Sequence, residues 1–189
     1  MKKFFNIVLL LGIIFAFSGF WNGNSVQEDR QEILQMKNET LNELLKDDVR
    51  AQMYMDRAYG YAVFSNVGVN IVLFSAEGGY GLAHNNVTGK NTYMKMASAG
   101  AGFGLGVKDF RAVFIFENQK VFDNFIHYGF EANAQADVAA IAGDKGAALS
   151  KAITVAPGIK LYKITKNGLA VQATIQGTKY WTDDRLNNE

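Results

Sequence analysis

The stretch SAGAGFGLGV, residues 98–107, decides the fold, because its glycines admit two opposed readings. Gly100, Gly102, Gly104 and Gly106 take every second position, with Ala99, Ala101, Phe103, Leu105 and Val107 around them. A dinucleotide-binding loop needs glycine at its first, third and sixth positions, between a strand and a helix. Counted from Gly100, Gly102 or Gly104, the sixth position holds Leu105, Val107 or Asp109. A phosphate-binding P-loop fails too. The pair Gly89-Lys90 has His84 where the earlier glycine belongs, and Asn91 where Ser or Thr belongs.

As a strand the stretch makes physical sense. Side chains alternate, so Ala99, Ala101, Phe103, Leu105 and Val107 share one face and the glycines leave the other bare. Glycine in a strand marks a bend or a close approach to the backbone. Two occupants of the bare face stay open. One is the chain's own rings, Phe110, Phe114 and Phe116 on the next strand with Phe122 and Phe125 beyond it. The other is a lipid chain or similar apolar ligand.

Working outward, period-two patterns predict strands at 59–65, 70–76, 78–84, 91–97, 110–116, 159–165, 168–174 and 178–181. Turns are expected at 66–68, 75–78 and 85–89, and Asn167-Gly168 suits a tight hairpin. From Glu28 to about Arg57 the period becomes helical. Leu34, Leu41, Leu45, Val49 and Met53 form the stripe, Ile33 and Leu44 widen it, and Ser25 or Asp29 is the candidate cap. A second helix is expected over 117–127, with Val121, Phe122, Phe125 and Ile126 on one face and Asn118 as cap. The expected fold class is α+β: a mainly antiparallel curled sheet (barrel or sandwich) with a long N-terminal helix and one internal helix. A transmembrane barrel fits less well, because the strands are short and a helix interrupts them.

The N-terminus MKKFFNIVLLLGIIFAFSGF has two lysines followed by an uncharged run from Phe4 to Ser18. This is the layout of a secretory signal, with cleavage expected after Ser18. With Phe20 and Trp21 included the run approaches the ~20 residues of a membrane span, so an uncleaved anchor is the alternative. The organisation is therefore residues 1–18 leader, 19–27 linker and 28–189 domain, with a helix over 28–57 and a β-rich core over 58–189. The 17–20 segment resembles a lipoprotein box, but Phe20 stands at the acylated position and the chain has no cysteine. The expected location is exported, periplasmic or cell envelope, not a Cys-anchored lipoprotein.

Composition limits the chemistry. Of the 19 basic residues two, Lys2 and Lys3, belong to the leader, leaving 17 against 18 acidic ones. That balance gives no nucleic-acid footprint. Without cysteine there is no disulfide, thiolate metal site or cysteine nucleophile. His84 and His127 lie in no metal-ligand motif, no G-x-S-x-G elbow exists, and Asp47-Asp48 and Asp183-Asp184 read as solvated pairs. No catalysis, no metal and no cofactor are expected.

Several blocks in order resemble the SYLF domain family: RAYGYAVFSNVG (57–68), the glycine-rich hairpins from Gly78 to Gly106, FRAVFIFEN (110–118), FEANAQADVAA (130–140) and IKLYKITKNGLAVQATIQGTKYW (159–181). The resemblance spans almost the whole chain after the leader. Ser65 departs from it, standing where that family often has proline. The resemblance implies phospholipid binding without a fixed catalytic motif. The sites expected from the sequence are Phe103, Phe110 and Phe114 for apolar contact, with Lys108 and Arg111 for a phosphate. Lys108 is placed at a hairpin tip. The expected partner is a phospholipid or membrane surface, and the rival reading is an envelope protein held by the sheet or the first helix.

Overall fold

The computed structural model describes residues 25–71, 74–101, 110–131, 152–165, 168–169 and 178–188. The expected leader, most of the expected linker, and Phe103 and Lys108 lie outside these residues. The fold is α+β, as the periodicity indicates. Helix α1 (Val26–Asp47) and helix α2 (Arg50–Arg57) precede strands β1 (Gly60–Ile71), β2 (Phe74–Asn85), β3 (Asn91–Ala101) and β4 (Phe110–Phe116). Helix α3 (Gln119–Tyr128) follows, then β5 (Phe130–Glu131), β6 (Ile153–Ala156), β7 (Ile159–Thr165), β8 (Gly168–Leu169), β9 (Thr178–Thr182) and the single turn α4 (Asp184–Asn187). All pairings are antiparallel in one curled sheet of order β5-β9-β3-β2-β1-β4-β7-β6, with β8 beside β7. Among the described residues this is half a barrel rather than a sandwich.

Period two sends alternate residues to opposite faces, and both faces are covered. On one, Ala62, Phe64, Ala112, Phe114, Phe116, Leu161 and Tyr180 pack against Phe122 and Phe125 of α3. On the other, Tyr61, Val63, Leu82, Val113, Ile115 and Tyr162 pack against Ile33, Met36 and Leu44 of α1 and Met55 of α2. The helices are capped as their sequences ask. Ser25 and Glu28 form a reciprocal capping box on α1. The Asn118 side chain accepts from the Val121 amide at 3.2 Å to open α3. Gly129 ends α3 at φ 71, against the Tyr180 carbonyl, where no other residue fits without strain.

Three expectations are corrected. The turns expected at 66–68 and 75–78 are strand: Asn66 pairs with Gly79 and Val67 with Gly78, so β1 and β2 run straight through. Asn66 is buried, and its side chain accepts the Phe110 amide at 2.6 Å, so its polarity serves a strand position rather than a turn. Gly79 and Gly81 are needed because a Cβ at either would strike the β1 backbone. The expected single helix over 28–57 is two helices, broken at Asp48, whose carboxylate takes the Arg50 amide at 3.1 Å. The buried stripe keeps one phase across that break, one residue before the expected stripe through α1. Ile33, Met36, Thr40, Leu44, Ala51 and Met55 are buried, whereas Val49 and Met53 of the expected stripe are exposed.

The glycine question is answered for the part of the stretch that is described. Residues 98–101 continue β3, pairing with 74–77 of β2. Elsewhere in the sheet, a Cβ on Gly60 would sit 2.5 Å from the Phe122 ring, and one on Gly81 2.6 Å from the Phe64 ring. At those positions bare backbone makes room for the chain's own aromatics.

Candidate functional site

Of the residues singled out for contact, Phe110, Arg111 and Phe114 lie on β4, the first two where it begins. Phe110 is nearly buried, its ring beneath the Lys163 ammonium at 4.3 Å from the centroid. Phe114 has no exposed surface; its ring lies 5.1 Å from Tyr180 and 5.5 Å from Phe125. Its ring is therefore occupied by packing. Arg111 points to the opposite face, toward α1.

Register aligns Arg111 with further polar residues. Lys95 pairs with Tyr80, Tyr80 with Ser65 and Ser65 with Arg111. Directly opposed residues on neighbouring strands face the same way. Lys95, Tyr80, Ser65 and Arg111 therefore form a half-buried polar row across β3, β2, β1 and β4, on the face that α1 covers. Strands lie about 4.8 Å apart, so the row spans roughly 14 Å.

Helix α1 answers this row with carboxylates. Glu32, Glu39 and Glu43, at helical spacing, lie on its sheet-facing flank. Arg111 reaches Glu39 at 3.3 Å and Glu43 at 3.6 Å. The Tyr80 hydroxyl donates to Glu32 at 3.3 Å. Burial, and then the Glu32 charge beside it, push the Tyr80 hydroxyl above its ordinary pKa, so it stays a neutral donor. Lys95 is held by the buried Asp183 at 3.1 Å.

The C-terminal turn α4 fixes the start of the same helix. Arg185 pairs with the buried Asp29, and the Arg30 guanidinium donates to the Leu186 carbonyl at 3.0 Å. Asn187 bridges α4 to the Tyr93 backbone in both directions, at 2.9 and 2.7 Å. Beside this clasp, at the sheet end remote from Arg111, a cleft of about 660 Å³ is lined by Arg30, Lys90, Tyr93, Thr182 and Asn187 among others.

The sequence reading singled out Phe110 and Arg111, which open β4, and did not single out Lys163 or the polar row. Lys163 had a signal: its parity in IKLYKIT places it with Ile159 and Leu161, an odd position for a charge. Among the described residues no group of three or more His, Asp or Glu side chains is placed to hold a metal. No described helix is long and apolar enough to cross a membrane.

No family model matches the chain. It is similar to the Beta cell expansion factor A of Aeromonas veronii, at 37% identity over 165 residues. The match covers 87% of this chain and 61% of that longer protein.

Proposed function

We propose that the chain is a non-catalytic phospholipid- or amphiphile-binding protein of the cell envelope, reading phosphate-bearing headgroups at the sheet end where β4 begins. One observation carries this reading: at the entry of β4, Phe110 lies under the Lys163 ammonium on one face of the sheet, and the adjacent Arg111 reaches toward α1 on the other. A guanidinium at the edge of an apolar layer suits a phosphate above it. The SYLF-like order of sequence blocks points the same way. Phe114 and most of Phe110 are engaged in the core, while Phe103 and Lys108, which the sequence reading assigns to apolar and phosphate contact, lie outside the described residues. Flotation of the purified protein with phosphatidylglycerol-containing and phosphatidylcholine vesicles tests the reading. Binding that is stronger to the anionic vesicles and weakened by Arg111→Gln supports it; absence of binding to both rejects it.

The similar protein's name favours a second reading, an exported factor acting on beta cells. Applying purified protein to cultured beta cells and counting them tests it directly. No change in number removes it.

A further inference from the structure

Arg111 is not bare. Two carboxylates of α1, Glu39 and Glu43, already hold its guanidinium, and all three side chains are partly open to solvent, at 32%, 50% and 44% exposure. A phosphate oxyanion asks for the same planar donors as a carboxylate and takes them in the same bidentate manner. Both ligands cannot use one face of one guanidinium. We infer that a lipid phosphate binds Arg111 by displacing Glu39 and Glu43, so that helix α1 is a built-in competitor for the headgroup.

This inference rests on the proposed lipid-binding reading. The exchange leaves α1 in place, because its seat is apolar: Ile33, Met36 and Leu44 remain buried against the sheet whichever anion Arg111 holds. The freed carboxylates are already solvent-accessible, so they lose little on release. Exposed ion pairs are weak and salt-screened, which suits a contact that must yield. Glu32 marks the contrast, since its partner is the Tyr80 hydroxyl rather than a cation. Its removal subtracts one charge from the same helix, as either Glu39→Gln or Glu43→Gln alone does, without freeing Arg111.

The test is a mutant cycle on protein recovered from the cell envelope, read by flotation with phosphatidylglycerol vesicles and checked for fold by circular dichroism. The Glu39→Gln/Glu43→Gln protein should bind about three- to tenfold more tightly than the parent, the range expected from removing two exposed pairs. Adding Arg111→Gln should abolish that gain, whereas the Glu32→Gln protein should show no Arg111-dependent gain. Equal binding by parent and Glu39→Gln/Glu43→Gln protein overturns the competition and leaves lipid binding standing. So does a gain that persists without Arg111, which is then net charge alone. Failure of every variant to float rejects the lipid-binding reading itself. A parallel calorimetric titration with inorganic phosphate separates the sources. A gain seen only there overturns a lipid headgroup as the competitor.

Discussion

The two faces of the sheet are closed by different chemistry. The α3 face is a ring cluster: Phe64, Phe114, Phe116, Phe125 and Tyr180 meet mostly edge-on or tilted, with Phe114 and Phe116 stacked and centroids such as Phe64–Tyr180 at 4.7 Å and Phe116–Phe125 at 4.8 Å. Rings packed this way are satisfied in few orientations, and the neighbouring Phe122 ring reaches the backbone closely enough that Gly60 must lack a side chain. The α1 face has an aliphatic and methionine seam bordered by polar contacts, from Glu39–Arg111 at one end of the helix to Asp29–Arg185 at the other. One face carries tight packing that tolerates little change. The other carries replaceable polar contacts around a packed seam, and this is where an incoming anion has something to exchange.

The largest effect is therefore expected on the ring face. Phe114→Ala should destabilise the protein by about 3–5 kcal/mol, read from urea denaturation. A cost below about 1 kcal/mol would break the contrast, since a surface contact loses that much. Asn66→Ala should come next. It leaves the buried Phe110 amide without its acceptor, at a cost of about 1–3 kcal/mol. Faster hydrogen exchange at the Phe110 amide is the accompanying sign. Arg111→Gln should cost less than about 1 kcal/mol in the same denaturation experiment, as exposed pairs do. A loss as large as that of Phe114→Ala would make the polar border structural rather than exchangeable.

The smallest effect concerns the first turn of α1. Hydrogen bonds from the Ser25 backbone and side chain hold the Glu28 carboxyl below its ordinary pKa of 4.5. A depressed carboxyl contributes its stabilisation above that ordinary value and loses it as the pH falls through the lower, folded one. Amide exchange at Ser25 should accelerate over that acid window, and Glu28→Gln should remove the pH dependence. Unchanged exchange in the parent protein would show that the capping box does not form.

Local order in the sequence carried much of the fold. FRAVFIF and IKLYKIT occupy β4 and β7 with the expected bounds, and Ser25 and Asn118 cap the helices they precede. What escaped depends on contacts far apart in the chain. Asn66 looks like a turn residue until the Phe110 amide, 44 residues on, is set against it. The turn DRLN has one apolar residue, Leu186, and owes its helix to docking on α1 and β3. The break at Asp48 escaped because no glycine or proline announces it. The site followed the same rule. Arg111 was visible as a cation beside an aromatic strand, but its engagement by Glu39, 72 residues upstream, exists only in the folded chain. Phe103 and Lys108 lie outside the described residues.

The clasp between α4 and α1 sets an order of events in synthesis. Arg30 and Leu186 are 156 residues apart, and so are Asp29 and Arg185. A ribosome makes about 5–20 residues per second, so roughly 8–30 seconds pass between the two halves of this fastening. Throughout that interval the first helix has its apolar stripe but not its final tie. The nascent chain thus keeps its N-terminal layer unlatched until residues 185 and 186 have been made, a window in which other proteins meet an open chain rather than a closed one.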